Sequence, residues 1–273
     1  SSLLTQSVLA DACRAALKHA EAEALGRKTL EAQRRVLGLV DEDTLATMLG
    51  LAETLIAQRR VAEAEELARQ SLAELKNTVG ADHPITILAS HNFGGILLFQ
   101  GRLEFAEEIL AEALAGRRRI YPPNHSYVTN TANALGVVYY QLEQYTKAES
   151  IWRECLVAWK SVLSDSHYMV VSCRGNLGWA ALKGGRLVEA KQQFQAIVDN
   201  GGEDPQFLIN GKEGLAGVAE VAEDWPKVES IYRETIALRE QLFGARSSQV
   251  TRKALAQALF MQNKLQDAEE VVR

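Results

Sequence analysis

Asp82-His83-Pro84-Ile85-Thr86-Ile87-Leu88-Ala89-Ser90-His91-Asn92-Phe93-Gly94-Gly95 opens a stretch that runs through Gln100-Gly101-Arg102 and Ala106-Glu107 to Arg117-Arg118-Arg119 and Pro122. Displaced by 42 residues, it falls on itself over most of the chain. Ala22-Glu23, Ala64-Glu65, Ala106-Glu107 and Ala148-Glu149 keep that step, and Ala190-Lys191 continues it. His83, His125 and His167 keep it too. A large-plus-small pair recurs as Leu9-Ala10, Leu51-Ala52, Phe93-Gly94, Leu135-Gly136 and Leu177-Gly178, then after steps of 38 and 40 as Leu215-Ala216 and Leu255-Ala256. A fixed period of this length marks an array of stacked supersecondary units, each unable to bury its apolar face alone.

Within each period two apolar patterns of helical spacing are joined by a short turn. In the second repeat Leu45, Met48, Leu49, Ala52, Leu55 and Ile56 predict a first helix over residues 43–58. Arg59-Arg60 is the turn, and a second helix follows over residues 61–79. Gly101 and Gly184-Gly185 occupy the same turn in later repeats, where glycine ends a helix cheaply. Asp82, Asn124 and Ser166 stand in register as expected helix caps, with Pro84 suited to a first turn. The small member of each pair has a packing reason: two helices that cross closely need a residue without bulk at the contact. Leu97, Tyr139 and Leu259 on first helices, and Trp152, Phe194 and Tyr232 on second helices, are expected to complete that contact.

This pattern resembles the tetratricopeptide repeat, whose usual unit is 34 residues; the 42-residue unit with its Asp-His-Pro junction is similar to the kinesin light chain subtype. The resemblance implies an all-α fold, a right-handed superhelical solenoid of about seven helix-turn-helix units. They span residues 2–42, 43–84, 85–126, 127–168, 169–206, 207–246 and a truncated 247–273, within a single domain, 1–273, that reads as a piece of a longer protein. The pattern breaks at Asp199-Asn200-Gly201-Gly202-Glu203-Asp204-Pro205, and Trp225-Pro226 opens the next second helix in an unusual way. A bend or irregular packing is expected between the fifth and sixth repeats.

Composition agrees with a folded array. Hydrophobic residues make up 47% and charged residues 24%, and there are only five prolines to interrupt helices. A net charge of −5 supplies no basic footprint for nucleic acid. No window is apolar and long enough to cross a membrane. Cys13, Cys155 and Cys173 lack metal-ligand spacing and read as reduced thiols of an intracellular, cytoplasmic protein.

Nothing in the chain predicts an enzyme or a cofactor: there is no Gly-rich phosphate loop, His-Glu-x-x-His, Cys-x-x-Cys or Gly-x-Ser-x-Gly. The three in-register histidines lie one repeat apart, on the order of 10 Å of helix stacking, whereas zinc ligands converge within about 2 Å of one ion. A junction role is expected of them, and no metal. Arg117-Arg118-Arg119, late in a second helix, is expected to be a solvated helix face favoured by the macrodipole.

Positions around the large-plus-small pair that first helices turn toward the concave face are the candidate binding residues: His91, Asn92 and Phe99; Asn130, Asn133 and Tyr140; Asn176, Trp179 and Lys183; Asn210 and Glu213. Asparagine is a poor helix former and no core residue, yet it recurs here. Its amide both donates and accepts, which suits the backbone of an extended peptide; the alternative is that these asparagines bridge helices inside the stack. Kinesin light chain repeats are similar here, with asparagines before the same pair holding peptides; Asn92 and Asn176 match one such position and Asn133 another. The expected function is a non-catalytic scaffold binding a protein or peptide segment in the groove. The alternatives are a sensor array of a larger signalling enzyme and a self-association module.

Overall fold

A computed structural model describes residues 12–13, 16–200 and 204–272. Leu9-Ala10, Gly201, Gly202, Glu203 and Arg273 lie outside the described residues. Among those described, regular structure is entirely helical. The chain forms two compact halves, Ser1–Leu142 and Glu143–Arg273. The first contains α1 (His19–Val36), α2 (Glu42–Ala57), α3 (Val61–Thr78), α4 (Pro84–Phe99), α5 (Leu103–Ile120) and α6 (Ser126–Gln141). The second contains α7 (Tyr145–Lys160), α8 (Tyr168–Lys183), α9 (Leu187–Asn200), α10 (Pro205–Val221), α11 (Trp225–Phe243), a 3-10 turn (Ala245–Ser248), α12 (Gln249–Met261) and α13 (Leu265–Val272).

Within each half every helix packs on the next. First helices of successive repeats also meet, α2 with α4, α4 with α6, and α8 with α10, so these form a wall of side-by-side helices in each half. The two helices expected in the second repeat are present with bounds within a residue or so, as α2 and α3.

The recurring pairs each do an identifiable job. Gly94 and Gly178 sit where a methyl group would lie 2.5 Å from Leu110 Cγ and 2.8 Å from Phe194 Cε1 respectively. Leu110 and Phe194 are fully buried, so the larger second-helix residue occupies the volume the glycine leaves. A helix-interior glycine costs roughly 1 kcal/mol against alanine, and this packing offsets it. Of the larger residues expected at the contact, Leu97, Leu259, Trp152, Phe194 and Tyr232 are buried, whereas Tyr139 is half-buried and its neighbour Val138 is fully buried. In three of the alanine–glutamate pairs, at Glu23, Glu65 and Glu149, the alanine is buried and the glutamate accepts from the arginine that begins the following repeat's second helix. Arg60 Nη1 lies 2.6 Å from Glu23 and Arg186 Nε 2.8 Å from Glu149, and Arg102 pairs with Glu65; at Val228-Glu229, Lys264 Nζ lies 2.6 Å from Glu229 in the same way.

The turn between the two helices of a repeat places one residue in the left-handed region every time: Leu17, Arg59, Gly101, Glu143, Gly185, Glu223 and Asn263, at φ between 57° and 77°. Only two of these are glycine, so the remaining turns hold side-chain-bearing residues in a conformation that costs about 1 kcal/mol or more each.

The junction between repeats corrects one expectation. The helix caps are His83, His125 and His167, not Asp82, Asn124 and Ser166. Each imidazole Nδ1 accepts the amide N–H two residues on, from Ile85 at 3.3 Å, Tyr127 at 3.2 Å and Met169 at 3.2 Å. Imidazole Nδ1 occupies the place that Oδ1 of an aspartate would, and aspartate is what stands there in α2, where Asp41 accepts from Asp43 and Thr44. Asp82 instead pairs with Arg119. At the break in the pattern α9 ends after 14 residues and Asp204 caps α10 by accepting from Gln206 at 2.8 Å. There α10 comes close to α9, with Gly214 and Gly211 placed where a methyl would lie 2.2 Å from Phe194 Cδ1 and 2.9 Å from Val198 Cγ2.

Candidate functional site

In the second half the wall of first helices bears two neighbouring depressions. One, of about 250 Å³, is lined by Ser172, Gly175, Asn176 and Trp179 of α8 and by Phe207, Asn210 and Glu213 of α10, over Phe194 and Ile197 of α9. Phe194 and Ile197 are buried, and Trp179 stacks edge-on against Phe194 with ring centroids 5.1 Å apart. The indole keeps 37% of its surface exposed, so one face is anchored in the core and the other is open. Asn210 is exposed, and its Oδ1 accepts from the Gln206 side-chain amide of the same helix at 2.8 Å. Glu213 is held by Arg239 at 2.8 Å. The other depression, of about 520 Å³, is lined by Trp179, Lys183, Glu213, Gly217, Glu220, Val250 and Ala254. Glu220 there accepts from the Tyr232 hydroxyl at 2.7 Å, and burial together with this carboxylate pushes the phenol pKa up. The structure therefore brings Asn176, Trp179, Lys183, Asn210 and Glu213 together on one face.

In the first half the candidates disperse. Asn92 lines a depression of about 520 Å³ bounded by α2, α4, the end of α5 and the start of α6. His91 turns away from the groove, with Nδ1 3.2 Å from Thr131 Oγ1. Burial, and secondarily the charge of Arg117, pushes the His91 imidazole down to about 4, so it is neutral near pH 7. Phe99 is 65% exposed at the end of α4 and Asn130 is exposed on α6; neither lines the three depressions described. Asn133 and Tyr140 are half-buried on α6.

The arginine run also divides. Arg118 and Arg119 are exposed, as a solvated face requires. Arg117 is the correction: only 3% of it is exposed, and it points between α4 and α6. Its Nη1 donates to the Tyr127 carbonyl at 2.6 Å and to the Thr131 hydroxyl, and its guanidinium carbon lies 5.1 Å from the Tyr127 ring centroid. The register held the signal that was missed. Gln33, Leu75, Arg117 and Trp159 are 42 apart, and all four are buried.

No chemistry for catalysis is assembled by these residues. Cys155 and Cys173 are buried, and burial pushes the Cys173 thiol up, away from thiolate reactivity. The histidine series is occupied in capping, each Nδ1 turned to its own helix.

A family model for the tetratricopeptide repeat matches residues 1–73, 43–119 and 127–200. The chain belongs to the tetratricopeptide repeat family. Its fold is accordingly that family's α-α superhelix of helix-turn-helix repeats. Solved structures agree. Nearly identical TPR-like repeats ascribed to a kinesin light chain of Podosopora anserina share 22% identity at a TM-score of 0.62, over 71% of this chain and 92% of that one. BtubC (BKLC) from P. vanneervenii shares 19% at 0.70, over 81% and 91%. The quorum sensor NprR from B. thuringiensis shares 14% at 0.65, over 98% and 73%, and its complex with the cognate peptide NprX shares 14% at 0.59, over 99% and 76%. No curated protein matches the chain at a significant level. Tetratricopeptide arrays are interaction modules, and among the described residues no helix is long and apolar enough to cross a membrane.

Proposed function

We propose that the chain is a non-catalytic scaffold that holds an extended segment of a partner protein against its first helices, with α8 and α10 as the principal contact. What carries this reading is the depression over Phe194, Ile197 and Phe207, where Asn176, Asn210 and the open face of Trp179 surround an apolar floor. An extended backbone offers donors and acceptors in alternation, and carboxamides match both. The apolar floor receives one side chain, and Trp179 supplies an aromatic contact of the kind that dominates interface energetics. Asn92 is the counterpart in the first half. His91, Phe99, Asn130, Asn133 and Tyr140 contribute less, His91 by holding Thr131 rather than a ligand. NprR, a neighbour in fold, is known in complex with a peptide.

Selection from a random-peptide display library tests this, run on the chain and on Asn176→Ala/Asn210→Ala, with Gln192→Ala on the exposed side of α9 as control. Segments should enrich on the parent and the control and be lost on the double variant at unchanged helicity. Equal enrichment on all three places binding elsewhere.

A further inference from the structure

We propose that the larger second-half depression, the one of about 520 Å³ beside Trp179, is a cation site that receives a lysine or arginine side chain of the bound segment. The inference rests on the scaffold reading and names a chemical feature of its partner. Gly217 lets the Trp179 indole lie against α10: a methyl group there would stand 3.3 Å from Trp179 Cζ3. Glu213 and Glu220 lie one turn to either side of Gly217 on the same helix face, and both line the depression. The partly exposed indole is thus flanked by two carboxylates. Their charges are not equally balanced. Glu213 is met by Arg239 at 2.8 Å. Glu220 meets the buried, neutral phenol of Tyr232 at 2.7 Å and no cation among the described residues. Glu23, Glu65, Glu229 and Glu240 are half-buried too, and each pairs with an arginine or lysine. Burial first, then the hydrogen bond and charge of Glu220, then the charge of Glu213, push the Tyr232 phenol up, so both carboxylates bear on one point of the floor. Lys183 stands exposed without an ion pair among the described residues, where the C-terminal carbonyls of α8 favour it.

The walls select the kind of cation. Leu182, Val221, Val250 and Ala254 line the same space, and Val221 and Val250 are exposed. An apolar wall leading to an unbalanced carboxylate beside an aromatic face matches a side chain with an aliphatic stem and a charged head. The stem covers the valines, while the head donates to the Glu220 oxygen that Tyr232 leaves unused and lies over the indole. A wholly aliphatic side chain would cover the valines as well, but it would strip water from Glu220 and offer no hydrogen bond in return. Trp179 and Glu213 also line the smaller depression, so the cation is read beside the apolar side chain received there.

The test follows the indole N–H resonances of the whole nitrogen-labelled chain by NMR, that of Trp179 being assigned through bonds from its own backbone. The probes are N-acetyl-lysine N-methylamide, N-acetyl-arginine N-methylamide and, as the uncharged stem, N-acetyl-norleucine N-methylamide, all at constant ionic strength. The Trp179 resonance should shift saturably with one or both cations and not with the norleucine control, and the tighter cation identifies the side chain. Glu220→Gln keeps an acceptor for Tyr232, removes the charge, and should weaken that cation about tenfold. If that variant fails to fold, the wild-type titration repeated at high salt decides: the cation's affinity should fall, and an affinity indifferent to salt overturns the site. A Trp179 resonance that stays in place, moves equally with the norleucine control, or responds unchanged in Glu220→Gln also overturns it. Failure here beside a successful display selection removes only the cation site; the reverse pattern removes the scaffold reading and leaves a cation site.

Discussion

Gly94 and Gly95 are adjacent on one helix, yet alanine at the two positions should have opposite effects. At Gly94 the new methyl would lie 2.5 Å from Leu110 Cγ and 2.7 Å from Cδ2, whereas at Gly95 nothing stands within 4 Å. Carbon atoms rest at about 3.5–4.0 Å, so the first substitution overlaps by roughly 1 Å. Leu110 is fully buried and has no free volume to retreat into. Overpacking of this kind costs about 1–3 kcal/mol, against a helix-propensity gain of about 1 kcal/mol common to both sites. Gly94→Ala should therefore destabilise by up to about 2 kcal/mol and Gly95→Ala stabilise by up to about 1 kcal/mol. Urea unfolding followed by circular dichroism reads both as midpoint shifts at constant slope. A further variant closes the argument: Gly94→Ala/Leu110→Ala reproduces the Ala52 and Ala68 found in the same register of the second repeat. It should lose less than the two single changes added together, since each relieves the other. A Gly94→Ala protein as stable as Gly95→Ala would refute the close-crossing account of the repeated pair.

Three other outcomes follow from geometry already described. Arg59→Gly, at φ 61°, should stabilise by about 0.5–1 kcal/mol in thermal melts, because glycine takes the left-handed conformation without the side-chain penalty; an unchanged or lower melting temperature would mean the turn is not strained. His167→Ala removes a helix cap and should cost about 1 kcal/mol, with His167→Asp close to the parent, since aspartate caps the equivalent helix at Asp41. His91 has a folded-state pKa depressed to about 4, so its contribution is fully present above about pH 6.5 and is lost as pH falls toward 4. Comparing acid unfolding of the parent and His91→Gln should reveal about 2–3 kcal/mol of pH-dependent stability over that window that the variant lacks; parallel curves would contradict the burial of a neutral imidazole there.

The fold was legible because the repeat fixes it many times over. A single alanine–glutamate pair is uninformative, but its recurrence fixes the period; that the glutamate accepts from the arginine beginning the next second helix is seen only in the structure. Caps were misplaced by one residue, because aspartate, asparagine and serine are expected to cap and histidine is not. Only backbone placement shows that Nδ1 of His83 reaches the Ile85 amide while Asp82 turns to Arg119. Arg117 was misread for the opposite reason: composition suggested a solvated basic run, while register already placed it level with buried Leu75 and Trp159. Of the candidate binding residues, those on α8 and α10 converge because both helices lie against Phe194 and Ile197, whereas Phe99 falls at a helix end, where counting from the pair does not specify direction. His91 lies against the Thr131 hydroxyl: a polar side chain at a groove position can equally meet a neighbouring helix, and sequence does not distinguish the two.

Hydrogen exchange of the chain with and without a segment recovered by display selection bears most directly on the scaffold reading. Slowed exchange concentrated in α8 and α10, absent in Asn176→Ala/Asn210→Ala, is the predicted result. Protection confined to α9 and α11, or persisting in the double variant, would contradict it.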